Sequence, residues 1–118
     1  MPSDDGTRSS TRISTHILDT VTGEPARGVH VRLERRDSDG WRTVAQGNTD
    51  DDGRLEHQVP PRDRQAGGYR LLFSIEPYLG GDAFFPEITV AFHVHDPERH
   101  YHVPLLLSRY GYTTYRGS

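Results

Sequence analysis

Cysteine is missing from all 118 residues, which excludes disulfides, thiolate nucleophiles and thiolate metal sites. Lysine is missing as well: the 14 positive residues are all arginine, so no Schiff base can form on a lysine. No apolar run approaches the roughly 18 residues of a membrane span, and the opening "MPSDDGTRSSTR" has no apolar h-region of a secretory leader. These absences predict a soluble, unexported, cytoplasmic protein, and the lack of cysteine is compatible with a reducing cytosol without requiring one. Apolar residues are scarce, at 32% with a mean hydropathy of -0.77, so either the core is thin or a partner subunit completes it. A formal net charge of -3 and a pI near 6.1 lack the basic footprint that phosphate backbones require, which argues against nucleic acid as a ligand.

A chain of this length holds one hydrophobic core of ordinary size. Residues 1–11, rich in Ser, Thr and Asp, read as a disordered tail, and residues 12–118 as a single domain. Short apolar stretches alternate with turn clusters in the pattern of an all-β sandwich, two antiparallel sheets of seven to eight strands packed face to face. "RISTHIL" (12–18) alternates, with Ile13, Thr15 and Ile17 on one face and Ser14, His16 and Leu18 on the other. "VHVRLERR", "YRLLFSI" and "EITVAFHV" do the same, the last two presenting Tyr69, Leu71, Phe73 and Ile75, then Ile88, Val90, Phe92 and Val94. "DSDG" (37–40) and "TDDDGR" (49–54) supply turns, and "YHVPLLLS" (101–108) reads as an edge or bulged strand because Pro104 cannot donate to a ladder. "EPYLGGDAF" (76–84) is the one candidate for a short helix, weakened by Gly80 and Gly81.

Four of the seven histidines fall in "HVHDPERHYH" (93–102), where strand spacing puts His93 with His95 and His100 with His102. Each pair could bite a zinc ion, yet the polar faces of exposed strands account for the same spacing, and no obligatory metal is expected. The run Asp50–Asp52 lacks the alternating ligands of a calcium loop. No nucleophile elbow surrounds Ser118, which argues against a Ser-His-Asp hydrolase.

"STHILDTVTGEPARGV" (14–29), "TDDDGR" (49–54) and "HYHVPLLLSRYGYTTYRGS" (100–118) resemble the transthyretin-related family of 5-hydroxyisourate hydrolases, over about Ile13 to Ser118. The ending "YRGS" is similar to the mark that separates these hydrolases from hormone-carrying transthyretins. The resemblance implies a transthyretin-like sandwich with a short helix, a homotetramer with active sites in a channel where two dimers meet, and no cofactor. It also implies the reaction, in which water opens the ring of 5-hydroxyisourate to give 2-oxo-4-hydroxy-4-carboxy-5-ureidoimidazoline in urate breakdown. By position it assigns His16, Arg54, His102 and Ser118 to catalysis and Tyr115, Arg116 and Gly117 to substrate binding. The chain departs from the family at Arg109, where members usually have proline, at Thr113, and in a shorter segment between Ile75 and Phe84. A loosened turn and an added charge near the site are the expected effects of Arg109.

Hydrolysis of an amide-like C–N bond needs an activated water, stabilisation of the carbonyl oxygen and a proton for the departing nitrogen. His16 and His102 form the natural proton-transfer pair, with either able to hold the water, and Arg54 offers a permanently charged planar fork to the oxygens. Two alternatives stand beside this reading: a non-catalytic carrier of a small aromatic ligand, and a metal protein using His93, His95, His100 and His102.

Overall fold

Alternation along each strand decides which side chains enter the core. In β1 (Arg12–Asp19) the buried residues are Ile13, Thr15, Ile17 and Asp19, while Arg12, Ser14, His16 and Leu18 stay partly exposed, as the sequence pattern predicts. Tyr69, Leu71, Phe73 and Ile75 are all fully buried, with Ile88 and Val94 beside them. These meet Val29, Val31, Leu33, Leu105 and Leu107 in one hydrophobic cluster between two sheets. The protein is described from a computed structural model over residues 12–117, apart from the side chain of Asp82, so the expected tail at 1–11 and Ser118 lie outside the described residues.

One sheet has four antiparallel strands in the order β4 (Gly40–Asn48), β3 (His30–Asp37), β6 (Gly67–Ser74) and β7 (Glu87–Val94). The β3–β4 register shifts once, Leu33 facing Ala45 and Glu34 facing Thr43, so Val44 is an extra residue on β4. The other sheet has six strands and is mixed, whereas both sheets were expected to be antiparallel. β1 is its centre: antiparallel to β2 (Glu24–Pro25) and β5 (Arg54–Gln58), parallel to β8 (His100–His102) and β9 (Leu105–Leu107). β10 (Tyr112–Thr114) runs antiparallel to β9.

Ten strands appear among the described residues, against the seven to eight expected, for two local reasons. Glu24 and Pro25 pair with β1 inside a segment that reads as a turn. Pro104 splits the expected 101–108 strand into β8 and β9, because it has no N–H for the ladder. The candidate helix forms as a single turn, α1 (Glu76–Leu79), followed by a 3-10 turn at Gly80–Asp82. It is held by Tyr78, whose hydroxyl donates to Asp19 Oδ2 at 2.9 Å; burial and that carboxylate push the Tyr78 pKa up to about 12. Among the described residues no helix is long and apolar enough to cross a membrane.

Candidate active site

The outer face of β1 and its two neighbours forms a grid. Ser14 faces Glu56 on β5 and His102 on β8, and one row further on His16 faces Arg54. Side chains opposite each other in register share a face, so Ser14, His16, Arg54, Glu56 and His102 project from one side of the sheet.

The "TDDDGR" turn delivers Arg54 to this grid. Asp50 Oδ1 accepts the backbone N–H groups of Asp52 and Arg54, both at 2.9 Å, and the Gly53 N–H bonds the Asp50 carbonyl at 2.9 Å. Asp50 is therefore the residue whose side chain closes the turn, while the Asp51 carboxylate meets Arg27 at 3.4 Å. Gly53 has φ +74°, and a Cβ there would lie 2.6 Å from the Ile17 carbonyl oxygen, so only glycine passes so close to β1.

His102 is placed from three directions. Its Nδ1 lies 2.8 Å from Ser14 Oγ, its carbonyl accepts the Gly117 N–H at 2.8 Å, and its ring packs against Gly117, whose missing Cβ would fall 2.5 Å from Cδ2. Next to it, the Tyr101 hydroxyl accepts the Asp96 N–H at 2.9 Å and donates to the Asp96 carbonyl, which shapes the turn leading into β8. The Arg116 guanidinium sits over the Tyr101 ring, 5.0 Å from its centre. The "YRG" segment is thus fastened to β8, with Gly117 against the histidine ring and Tyr115 exposed.

A cleft of about 350 Å³ opens on the grid, lined by Ser14, Asp50, Arg54, Glu56, His100 and His102 among others. His16, in register with Arg54, lies beside this cleft rather than in its lining. His102 also borders a hollow of about 680 Å³ with Arg99, Arg116 and Gly117, and a groove of about 220 Å³ with Phe92, Tyr115 and Arg116. The expected residues His16, Arg54, His102 and Gly117 are therefore neighbours, whereas Tyr115 and Arg116 sit on the far side of His102. Burial lowers the His102 pKa, and the positive charges of His100, Arg54 and His16 lower it further, against a smaller opposing effect of the Ser14 backbone. At neutral pH its imidazole is an uncharged base.

Among the lining residues, Ser14 and Glu56 were not singled out from sequence, and His100 was named only as a candidate metal ligand. Their signal was available, since Ser14 shares a face with His16, and Glu56 with Arg54, at a spacing of two. The histidine pairs of the metal reading divide in space. His93 and His95 stack on each other with ring centres 4.5 Å apart, while His100 and His102 both meet Ser14. Among the described residues no three His, Asp or Glu side chains converge as a metal site. Arg109 lies in the β9–β10 connection, where Ser108 makes two hydrogen bonds to the Gly111 carbonyl, at 3.0 Å from its N–H and 2.9 Å from its hydroxyl. The turn forms with arginine in place of proline.

The family model for "Transthyretin: HIUase/Transthyretin family" matches residues 13–117. A 5-hydroxyisourate hydrolase of Salmonella dublin is 50% identical over 109 residues, covering 90% of this chain and 80% of that one. Among solved structures, (S)-allantoin synthase superposes with a TM-score of 0.81 at 32% identity, covering 93% of this chain but only 44% of that longer one. Sea bream transthyretin in complex with thyroxine superposes with a TM-score of 0.80 at 34% identity, covering 89% and 93%. The two solved structures share this fold under different names, so the fold alone does not select an activity. With a family match spanning nearly every described residue, the chain belongs to the HIUase/Transthyretin family.

Proposed function

We propose that this chain hydrolyses 5-hydroxyisourate to 2-oxo-4-hydroxy-4-carboxy-5-ureidoimidazoline, a step of urate breakdown. One observation carries the reading: the register that sets His16 against Arg54 and puts His102, one strand over, beside the same cleft. Half identity to the Salmonella hydrolase supports the same reaction. An apolar ligand channel has no need of two histidines and an arginine on one polar face.

In this mechanism neutral His102 takes a proton from water, which attacks the ring carbonyl. Arg54 stabilises the oxygen that becomes negative, and its fixed charge acts without reorganising. His16, beside Arg54, gives a proton to the departing nitrogen. Tyr115 and Arg116 frame the site from the far side of His102 and Gly117 packs against its ring; Ser118 keeps the catalytic part that the family resemblance assigns to it, and no cofactor takes part. The working form is a cytoplasmic homotetramer with sites where two dimers meet. Support for assembly comes from the exposure of Phe84, Tyr110, Tyr112 and Tyr115 at 64%, 75%, 41% and 55% in the single chain, an apolar surface suited to a second copy.

The test follows the ultraviolet decay of freshly generated 5-hydroxyisourate, with the oligomeric state measured in parallel. Wild-type protein should accelerate decay far beyond buffer, and His102→Ala should abolish the gain. Decay no faster than buffer in a folded tetramer would overturn the hydrolase and favour a small-ligand carrier.

A further inference from the structure

Ser14 makes contacts that the three catalytic roles do not explain. Its Oγ lies 2.8 Å from Nδ1 of His102 and 2.7 Å from Nε2 of His100. A hydroxyl has one proton to donate. With both rings neutral, a Ser14 that donates to one histidine accepts from the other, so the two tautomers are coupled: reversing one hydrogen bond reverses both.

We propose that Ser14 and His100 are positioning residues that form a proton relay behind His102. In the resting arrangement His102 Nδ1–H donates to Ser14 Oγ, and the Ser14 hydroxyl donates to His100 Nε2. This leaves His102 Nε2 with its lone pair free for the attacking water. The relay rests on the hydrolase reading and deepens it. When Nε2 takes the water's proton, the Nδ1 proton passes to Ser14 Oγ as the hydroxyl proton passes to His100 Nε2. His102 ends neutral with its proton on Nε2, the serine is regenerated, and the positive charge rests on His100.

The surroundings favour that direction. Half-buried His102 is flanked by Arg54 and His16, both of which disfavour a second positive charge, while the carboxylates of Glu56 and Asp50 line the cleft further along. His100 is solvent-exposed, where water stabilises an imidazolium. Ser14 itself is held on a central strand: its carbonyl accepts the Val103 N–H at 2.8 Å, and the adjacent Thr15 hydroxyl donates to the Val103 carbonyl at 2.6 Å. The hydroxyl is therefore presented from backbone tied to β5 on one side and β8 on the other.

The test uses full-length Ser14→Ala, Ser14→Thr and His100→Gln proteins, with steady-state hydrolysis and ring-nitrogen NMR on 15N-histidine-labelled protein. Loss of the orienting bond in Ser14→Ala should lower kcat roughly 100-fold with little change in KM, and shift His102 away from the Nδ1–H tautomer. Ser14→Thr keeps the hydroxyl and should restore both. In His100→Gln the amide oxygen can still accept from Ser14 but cannot carry the proton, so the tautomer should persist while kcat falls about 10-fold. A His102 tautomer indifferent to Ser14, or unchanged kcat in His100→Gln, in an active protein overturns the relay. A wild type inert towards 5-hydroxyisourate overturns the hydrolase reading instead, whatever the NMR shows.

Discussion

Gly117→Ala should disable the site while leaving the sandwich standing. The backbone at Gly117 is outside the left-handed region, so the effect comes from contact alone. The new Cβ would lie 2.5 Å from His102 Cδ2, 3.2 Å from Cγ and 3.3 Å from Pro104 Cγ, where ordinary contact begins at 3.4 Å. Pro104 is buried and cannot yield on that side, and the Gly117 N–H to His102 carbonyl bond holds the two backbones together. The imidazole must therefore move by roughly 0.9 Å, either stretching its bond to Ser14 or turning away from the cleft. Misplacing a catalytic group by about 1 Å costs on the order of 100-fold in rate, close to 2.7 kcal/mol of transition-state stabilisation. The assay is kcat/KM from the decay of 5-hydroxyisourate, with the thermal midpoint as a control, since no core residue changes. A Gly117→Ala protein within threefold of wild type would refute the argument that this glycine sets the place of His102.

Two further outcomes bear on the scaffold. His57 is buried on the inner side of β5 with no hydrogen bond to Nε2, and burial together with His30 pushes its pKa from 6.5 down to about 4. The unfolded chain then binds more protons than the fold between those values, so stability is full above pH 6.5 and falls by about 3 kcal/mol as pH drops towards 4. Urea unfolding from pH 4 to 7 should show this slope in the wild type and lose it in His57→Leu; an unchanged slope would exonerate His57. Gly53→Ala combines a positive φ with the close approach to the Ile17 carbonyl and should cost about 2 kcal/mol, measured by urea midpoint, with activity lost as Arg54 shifts. A stability change within experimental error would show that the turn relaxes freely.

The parts of this fold legible in the sequence are those written in local alternation. Tyr69, Leu71, Phe73 and Ile75 were assigned to one face and are fully buried, and the two faces of β1 divide as their residues suggest. What escaped is long-range. The parallel pairing of β1 with β8 and β9 joins residues 88 apart, and nothing in either segment announces its partner. The Ser14–His100–His102 contacts follow from that register and were illegible for the same reason, although each residue stood in a stretch already noted. His16, Arg54 and His102 were found through a resemblance to a family and not through spacing. Hydrogen bonds among the residues of "TDDDGR" explain afterwards why that stretch precedes Arg54, but turn chemistry alone does not say which face the arginine takes.

Pro104 links these two levels. The β1 pairing keeps the same offset through β8 and β9, Ser14 with His102 and Ile17 with Leu105, so the two short strands are one strand interrupted without a slip. On the other side β10 behaves alike: Thr114 faces Leu105, and the ladder resumes only where Gly117 meets His102. At the row of His16 and Arg54, that same offset brings Pro104 alongside. Its missing N–H leaves a gap on the β10 side, the β1 ladder is interrupted at the same level, and two threonines take up the carbonyls: Thr15 that of Val103, and Thr114 that of Pro104 at 2.7 Å. A break that shifted the register by one residue would turn His102 to the core and a neighbouring apolar side chain to the cleft. Because the hydroxyls satisfy the gap instead, the row order survives, and His102 stays level with Ser14 while the chain's last described residue closes over its ring.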